Sequence, residues 1–160
     1  LTTLMAERTA IGGGGMVQFR EILGLARSMG RTSDPTIRDA LARIYTFFEI
    51  TRFMGYRVQT SLSKGEIPGP ESSVIKLHIS RQYEEGGDLY EELMGAAGTL
   101  WGDDAPFDGF FVGVFMAQWA PRIGGGTDEV QRNIVGERVL GLPREARPDK
   151  DVPFRDVPSA

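Results

Sequence analysis

A stripe of apolar and small residues between positions 34 and 62 constrains the fold more than any other part of this sequence. Asp34 suits the N-cap of a helix, and Pro35 suits its first turn. The residues that follow recur at alternating spacings of four and three, which keeps them on one helix face: Ile37, Leu41, Ile44, Phe48, Thr51, Gly55, Val58 and Leu62. A stripe of this length predicts a long helix that packs one face against other helices.

Other stretches have the same helical spacing, whereas alternating strand patterns are scarce. Glycines at 12–15 should interrupt the first of these helices, and Pro121 should follow the end of the third. We predict these helices over roughly 1–29, 71–94 and 109–119.

A last helix is predicted after Thr127, a suitable N-cap, and Gly141 and Pro143 should end it. Its apolar face would consist of Val130, Ile134, Val135 and Leu140. The fold class is therefore all-α. We predict an antiparallel four-helix bundle with a short additional C-terminal helix over residues 1–142, and an extended, Pro-rich tail over 143–160.

The composition excludes several classes of protein and site. The chain of 160 residues has no cysteine and one histidine, His78, so we expect no disulfide, no metal cluster and no Ser/His/Asp triad. The formal net charge of −4 offers no basic surface for nucleic acid. The longest apolar stretch, over 109–120, is too short to span a bilayer, and we expect a cytoplasmic protein. The chain begins without Met, which suggests part of a longer protein.

Two motifs carry a resemblance to a known family. GGGTDEVQRNIVGERVLGLPRE, at 124–145, is similar to the signature of the last helix in acyl-CoA dehydrogenases. TLMAERTAIGGGG, at 3–15, resembles the start of that family's C-terminal helical domain. The tail with DKDVPF is similar to the actinobacterial branch that handles bulky substrates. The resemblance covers most of the chain, although its middle part is weak.

The resemblance implies the α,β-dehydrogenation of a fatty or sterol-derived acyl-CoA thioester, as in fatty acid beta-oxidation and lipid metabolism. A glutamate removes the α-proton, and the FAD cofactor accepts a hydride from the β-carbon. The family carries this glutamate either directly before Gly-Thr, which is Gly125 here, or on the first helix before an arginine, which is Glu7 before Arg8. Gly125 has no carboxylate and cannot be the base. A glutamate at only one of the two places is consistent with the chemistry, because two carboxylates at one α-carbon would repel each other. We therefore predict Glu7 as the base.

The same resemblance assigns the surrounding residues. The backbone N–H of Gly125 would donate to the thioester oxygen, and Arg8 would orient Glu7 or the substrate. Gly12 and Gly124 would make room for the acyl group, although glycines at 12–15 equally suit a helix break or a tight helix contact.

The resemblance also assigns the FAD contacts. Gly126 would allow a close approach to FAD. Thr127 and Glu129 would contact FAD, and Thr127 would also cap the helix.

Two family motifs for the ADP part of FAD are altered here. The motif Gln-x-x-Gly-Gly-x-Gly corresponds to 92–98, where Glu92 replaces the glutamine. The Arg-x-x-Phe-Gly motif is not recognisable, and Arg27 or Arg31 would have to replace its arginine. The alternative function is therefore a non-catalytic assembly subunit of a hetero-oligomeric acyl-CoA dehydrogenase.

The implied partners are an acyl-CoA substrate and an electron-transfer flavoprotein or similar acceptor. The implied assembly is a homo- or hetero-oligomer, either a dimer or a tetramer. The family's other helical domain and its β-domain are not in this sequence, so we expect the chain alone to be inactive.

Overall fold

The computed structural model describes residues 18–66, 69, 71–144, 152, 153 and 156, and every regular element in these ranges is helical. The all-α fold class is thereby confirmed. Three short 3₁₀ helices (Gly95–Thr99, Gly102–Asp104 and Pro106–Gly109) join the α-helix that ends at Met94 to the α-helix that begins at Phe110. The α-helices are α1 (Phe19–Ser28), α2 (Pro35–Ser63), α3 (Glu71–Met94), α4 (Phe110–Ala117), α5 (Ala120–Ile123) and α6 (Asp128–Ile134), and a π-helical turn (Val135–Val139) continues α6.

The start of α2 is the one that its sequence predicts. The Asp34 side chain accepts a hydrogen bond of 2.9 Å from the backbone N–H of Thr36, and Pro35 occupies the first turn. Arg31 hydrogen bonds the same carboxylate and is the main cause that holds the pKa of Asp34 below its ordinary value. The cap and the proline act locally, which is why the sequence was sufficient to place this boundary.

The core lies where α1, the first half of α2, the end of α3 and α4 meet. Its buried side chains are Ile22, Leu25, Ala26, Ile37, Ala40, Leu41, Ile44, Leu89, Tyr90, Leu93, Met94 and Phe111. The apolar stripe on α2 enters this core only in its first half, since Ile44 is 1% exposed but Leu62 is 56% exposed. The second half of α2 therefore extends beyond the packed core.

The helix predicted over 109–119 is found as α4 (Phe110–Ala117), and a further short helix, α5, begins after it at Ala120. Helix α4 ends before Pro121, as predicted, and Pro121 itself lies in the first turn of α5, where a missing N–H costs nothing. Between the two helices Gln118 turns inward and is 1% exposed. A Cβ on Gly87 of α3 would lie 3.1 Å from this glutamine side chain, so the glycine makes room for it.

The predicted apolar face of the last helix is only partly buried, since Ile134 and Val135 are half-buried but Val130 and Leu140 are not. Val130 and Leu140 are 45% and 66% exposed, and the residues of α6 that are buried are Asp128 and Gln131. The helix also changes to a π-helical turn at Val135 rather than continuing regularly towards Gly141. The reason is tertiary: polar groups on α3 and in the glycine loop bind the polar face of α6 and turn it inward.

No helix among the described residues is long and apolar enough to cross a membrane. Most of the predicted tail, residues 145–151, 154, 155 and 157–160, lies outside the described part of the chain.

Candidate functional site

The three glycines before α6 each have a backbone reason. The N–H of Gly124 donates a 2.8 Å hydrogen bond to the carbonyl of Ala120, and a Cβ on Gly124 would lie 3.2 Å from that oxygen. Gly125 and Gly126 have φ of 67° and 96°, in the region that side chains disfavour. This loop, Gly124–Thr127, therefore favours glycine at 125 and 126 because of backbone conformation, and at 124 because a side chain would be crowded.

Thr127 ends the loop and caps α6. Its side-chain oxygen accepts a 3.3 Å hydrogen bond from the backbone N–H of Val130, which confirms the predicted cap. Glu129 is exposed in the first turn of α6. A hydrogen bond from its own backbone N–H, then one from Thr127, lower the pKa of Glu129 below its ordinary value. This carboxylate is ionised near neutral pH.

Gln131 reaches back from α6 into the glycine loop. Its Nε2 donates to the carbonyl of Gly125 at 2.8 Å and lies 3.5 Å from the carbonyl of Gly126. The Gln131 side chain is completely buried. One buried amide therefore contacts two successive carbonyls of the loop.

A buried ion pair fixes the start of α6 against α3. Lys76 Nζ lies 2.8 Å from Asp128 Oδ1, with the two side chains only 2% and 9% exposed. The hydroxyl of Ser80 lies 2.9 Å from the same carboxylate oxygen and 3.2 Å from the carbonyl of Pro121 on α5. The helix α3 thus contacts both α5 and α6, the two helices that flank the glycine loop.

Two opposing effects act on the pKa of Asp128. Burial is the largest and raises the pKa, but hydrogen bonds from Lys76 and Ser80 and the charges of Lys76 and Arg122 together outweigh it. The pKa of Asp128 is therefore below its ordinary value, and its carboxylate stays charged. Arg122 completes the cluster, with Nε 3.5 Å from Asp128 and Nη1 3.3 Å from Glu84.

This cluster also borders a cavity of about 150 Å³ beside the loop, lined by Leu77, Arg81, Glu84, Arg122, Asp128 and Arg132. The arginines here are ion paired with carboxylates on α3 and α6. Arg122 links α5 to α3 and α6, whereas the ion pairs of Arg81 and Arg132 each lie within one helix.

The family model for the acyl-CoA dehydrogenase C-terminal domain matches residues 1–140. This chain belongs to the acyl-CoA dehydrogenase family. The domain is 33% identical over 136 residues to the acyl-CoA dehydrogenase IpdE1 of Mycobacterium tuberculosis (strain ATCC 25618 / H37Rv), covering 81% of this chain and 33% of that protein. It is 32% identical over 112 residues to the acyl-CoA dehydrogenase FadE26 of the same strain, covering 67% of this chain and 28% of that one.

Two solved structures are similar to this C-terminal domain. A structure described as the Tcur3481-Tcur3483 steroid ACAD has a TM-score of 0.70 at 24% identity and covers 79% of this chain and 34% of its own, which shows the shared fold. The ChsE4-ChsE5 complex from Mycobacterium tuberculosis has a TM-score of 0.65 at 27% identity and covers 82% and 37%. The chain spans about a third of the length of the relatives it matches.

The predicted site residues of the acyl-CoA dehydrogenase C-terminal domain divide into two groups. Glu7, Arg8 and Gly12 lie outside the described residues. The other predicted residues follow one another in a single loop and the first turn of α6: Gly124, Gly125, Gly126, Thr127 and Glu129. Their contacts with substrate or cofactor stay predictions.

The two altered motifs are close in space. The guanidinium of Arg31 lies 3.4 Å from the backbone carbonyl of Glu92. Arg31 also forms an ion pair of 3.0 Å with Asp34, which takes up part of its charge. The structure therefore brings together two of the positions that the sequence assigned to the ADP part of FAD.

His78 makes packing contacts between α3 and α2. Its Nε2 lies 2.9 Å from the carbonyl of Phe47, and the two rings are 4.9 Å apart between centroids. In the described part of the chain, no three His, Cys, Asp or Glu side chains are grouped so that they could hold a metal ion.

Sequence reasoning missed Lys76, Ser80, Arg122 and Gln131. Lys76 and Ser80 stand four residues apart on α3 and so share one face, but nothing local shows that this face is buried. Gln131 follows Asp128 by three residues on α6, which was the available signal for a polar inward face.

Proposed function

We propose that this chain is the C-terminal domain of an FAD-dependent acyl-CoA dehydrogenase that oxidises an acyl-CoA thioester to its 2,3-enoyl-CoA. The observation that carries the proposal is the closing signature in a family that is generally FAD-dependent, with its glycine loop ordered at the mouth of α6. The relatives are described as acyl-CoA dehydrogenases, and one similar structure as a steroid ACAD, which supports a fatty or sterol-derived acyl group.

The backbone of Gly125 supports a base located elsewhere. With φ of 67°, this residue has a left-handed conformation, which costs a residue with a side chain about 1–2 kcal/mol. Glutamate at this position would be strained, whereas glycine is not. The proposal therefore assigns proton removal to Glu7, and places the backbone N–H of Gly125 as the donor that stabilises negative charge on the thioester oxygen. Arg8 would orient Glu7 or the substrate.

The loop residues fit a flavin in two respects. Gly126 presents backbone without a side chain, which permits close approach, and Thr127, with its hydroxyl, is the next residue in the chain. When bound, FAD would supply a hydride acceptor for the β-carbon. In the proposal Thr127 and Glu129 hold this cofactor, and Gly124 with Gly12 leaves room for the acyl group.

Substitution of Glu7 by glutamine in the full-length protein, with any partner chain present, tests the assignment. The amide cannot accept the α-proton, so we expect turnover to fall by about 10²- to 10⁴-fold while flavin stays bound. Glu66→Gln, an exposed residue in the loop before α3, is the matched control and should leave turnover unchanged. Near-normal turnover of the Glu7→Gln protein would remove Glu7 as the base.

A second candidate function is a non-catalytic assembly subunit. It is favoured by Glu92, which places a carboxylate where the family has an amide, and by Arg31, whose charge is already paired with Asp34. The description of one similar structure as the ChsE4-ChsE5 complex supports assembly with a different chain. Native mass spectrometry of the complex distinguishes the two: a flavin for every copy of this chain supports the dehydrogenase, and a complex without flavin at this chain supports the assembly subunit.

Because the chain covers about a third of its relatives, the activity belongs to the longer protein in this proposal. We expect residues 1–160 alone to show no dehydrogenase activity and little FAD affinity. An electron-transfer flavoprotein or similar acceptor would reoxidise the complete enzyme. A yellow, active preparation of the isolated fragment would contradict this part.

A further inference from the structure

We propose that Gln131 is a positioning residue that fixes the Gly124–Thr127 loop, and with it the N–H of Gly125, for the reaction. The role rests on the proposed function, since it concerns the group that would contact the thioester oxygen. Gln131 does not contact substrate in this proposal. It acts through the backbone of the loop.

The hydrogen bonds of the loop hold it on both sides of the peptide that carries the Gly125 N–H. On the N-terminal side, the Gly124 N–H is bonded to Ala120 at 2.8 Å. On the C-terminal side, Gln131 Nε2 is bonded to the Gly125 carbonyl at 2.8 Å. These hydrogen bonds hold the peptide before Gly124 and the peptide after Gly125. The peptide between them, which carries the Gly125 N–H, can then rotate only through the backbone dihedral angles of Gly124 and Gly125. These two contacts therefore restrain the direction of its N–H.

The chemistry of the loop explains why a side chain from outside it is needed. Three consecutive glycines have no side chains to pack and lose more conformational freedom on ordering than any other residues. Gln131 offers two amide protons from one side chain, and its Nε2 lies near two loop carbonyls. A methionine at 131 would fill similar space but could not donate.

The position of Gln131 is itself fixed from α3. Asp128 stands one helical turn before it on the same face of α6 and is bonded to Lys76 and Ser80. The buried ion pair therefore determines where α6 lies, and Gln131 transfers that position to the loop. This gives a physical reason for the polar inward face of α6.

The test compares Gln131→Met with Gln118→Met in the full-length protein, with any partner chain present. Gln118 is the matched control because it is an equally buried glutamine, 1% exposed, whose contact is with Gly87 rather than with the loop. Hydrogen exchange of the peptide that contains 124–127 is measured together with kcat and KM for an acyl-CoA substrate.

For Gln131→Met we expect exchange at 124–127 to rise about tenfold, the size of one hydrogen bond lost. We expect kcat to fall by about 10- to 100-fold with KM changed by less than about threefold, because a misplaced donor affects the transition state most. Gln118→Met should leave both readouts unchanged. If Gln131 had a purely structural role, its substitution would not lower kcat selectively. It would also not raise exchange in this loop alone.

Wild-type exchange at 124–127 in Gln131→Met would overturn the proposal, and so would faster exchange with unchanged kcat. If Gln131→Met does not fold, Gln131→Asn keeps the amide but shortens its reach, and the same two readouts apply. A wild-type protein that binds flavin but does not oxidise any acyl-CoA would contradict the proposed function. The exchange measurement would still decide whether Gln131 holds the loop.

Discussion

The buried pair of Lys76 and Asp128 makes a quantitative prediction. Lys76→Met removes the ammonium and leaves the carboxylate in a site where the side chains are 2% and 9% exposed. Removal of one partner from a buried pair typically costs about 3–5 kcal/mol. Ser80 and Arg122 remain near the Asp128 carboxylate, so we expect the lower end, about 3 kcal/mol.

A double-mutant cycle separates the pair from its surroundings. Asp128→Asn alone leaves a buried cation without its acceptor and should cost about 3 kcal/mol as well. The double variant contains no unpaired buried charge, so we expect its cost to be about 2 kcal/mol rather than the sum of the two. The coupling between Lys76 and Asp128 would then be about 4 kcal/mol, slightly above the range usual for residues in contact.

Hydrogen exchange is the suitable assay, because it resolves the opening of α6 within a longer protein. A loss of 3 kcal/mol corresponds to about 150-fold faster exchange over 128–139. Arg81→Met is the matched control, since Arg81 is a paired but 57% exposed cation on the same helix, and its loss should cost less than about 1 kcal/mol. If the two single substitutions proved additive, or if each raised exchange less than about fivefold, the reasoning would be refuted.

The pair also predicts a dependence on pH. Asp128 has a lower pKa in the folded chain than in the unfolded chain, so its stabilising effect is complete above the unfolded pKa of about 3.9. The effect is lost as the pH falls through the still lower folded pKa. The stability difference between wild type and Asp128→Asn should therefore be constant near neutral pH and shrink below about pH 4. A difference that grew towards acid would show that the sign is wrong.

Five further substitutions, at four positions, test the packing around the site and in the core. Gly87→Ala should destabilise the chain, because a Cβ at this position would lie 3.1 Å from the Gln118 side chain. Gly86→Ala should stabilise α3 by about 0.5–1 kcal/mol, because no described atom lies within 4 Å of a Cβ there. The urea midpoints of the two variants measure both effects. Tyr90→Phe should be neutral or stabilising by up to about 1 kcal/mol, since its buried hydroxyl has no hydrogen-bond partner among the described residues, and a loss above that would contradict this. Thr127→Ala should cost about 1 kcal/mol in the stability of α6, and Thr127→Ser should retain it, as hydrogen exchange over 128–134 would show.

Much of the fold followed from sequence, because its signals are local. The cap at Asp34, the proline at 35 and the spacing that follows placed the start of α2. The predicted helix over 71–94 matches the bounds of α3. The opening and closing motifs indicated the family that the comparison then established over residues 1–140.

The candidate site was predictable only in part. The run of glycines was visible, and so was the cap at Thr127, but the sequence did not show why a side chain at Gly124 would be crowded. That reason is a close approach to the carbonyl of Ala120 across a turn. The proposed base at Glu7 lies outside the described residues, so its role stays a prediction.

The orientation of α6 is the feature that only tertiary structure decided. By apolar spacing alone, Val130 and Leu140 should face inward, yet they are exposed, while Asp128 and Gln131 are buried. The cause lies 52 positions away along the chain, in Lys76 on α3. Helical caps and periodicity act over a few residues and are written in the sequence, whereas the burial of a charge depends on a distant partner that only the folded chain brings within 2.8 Å.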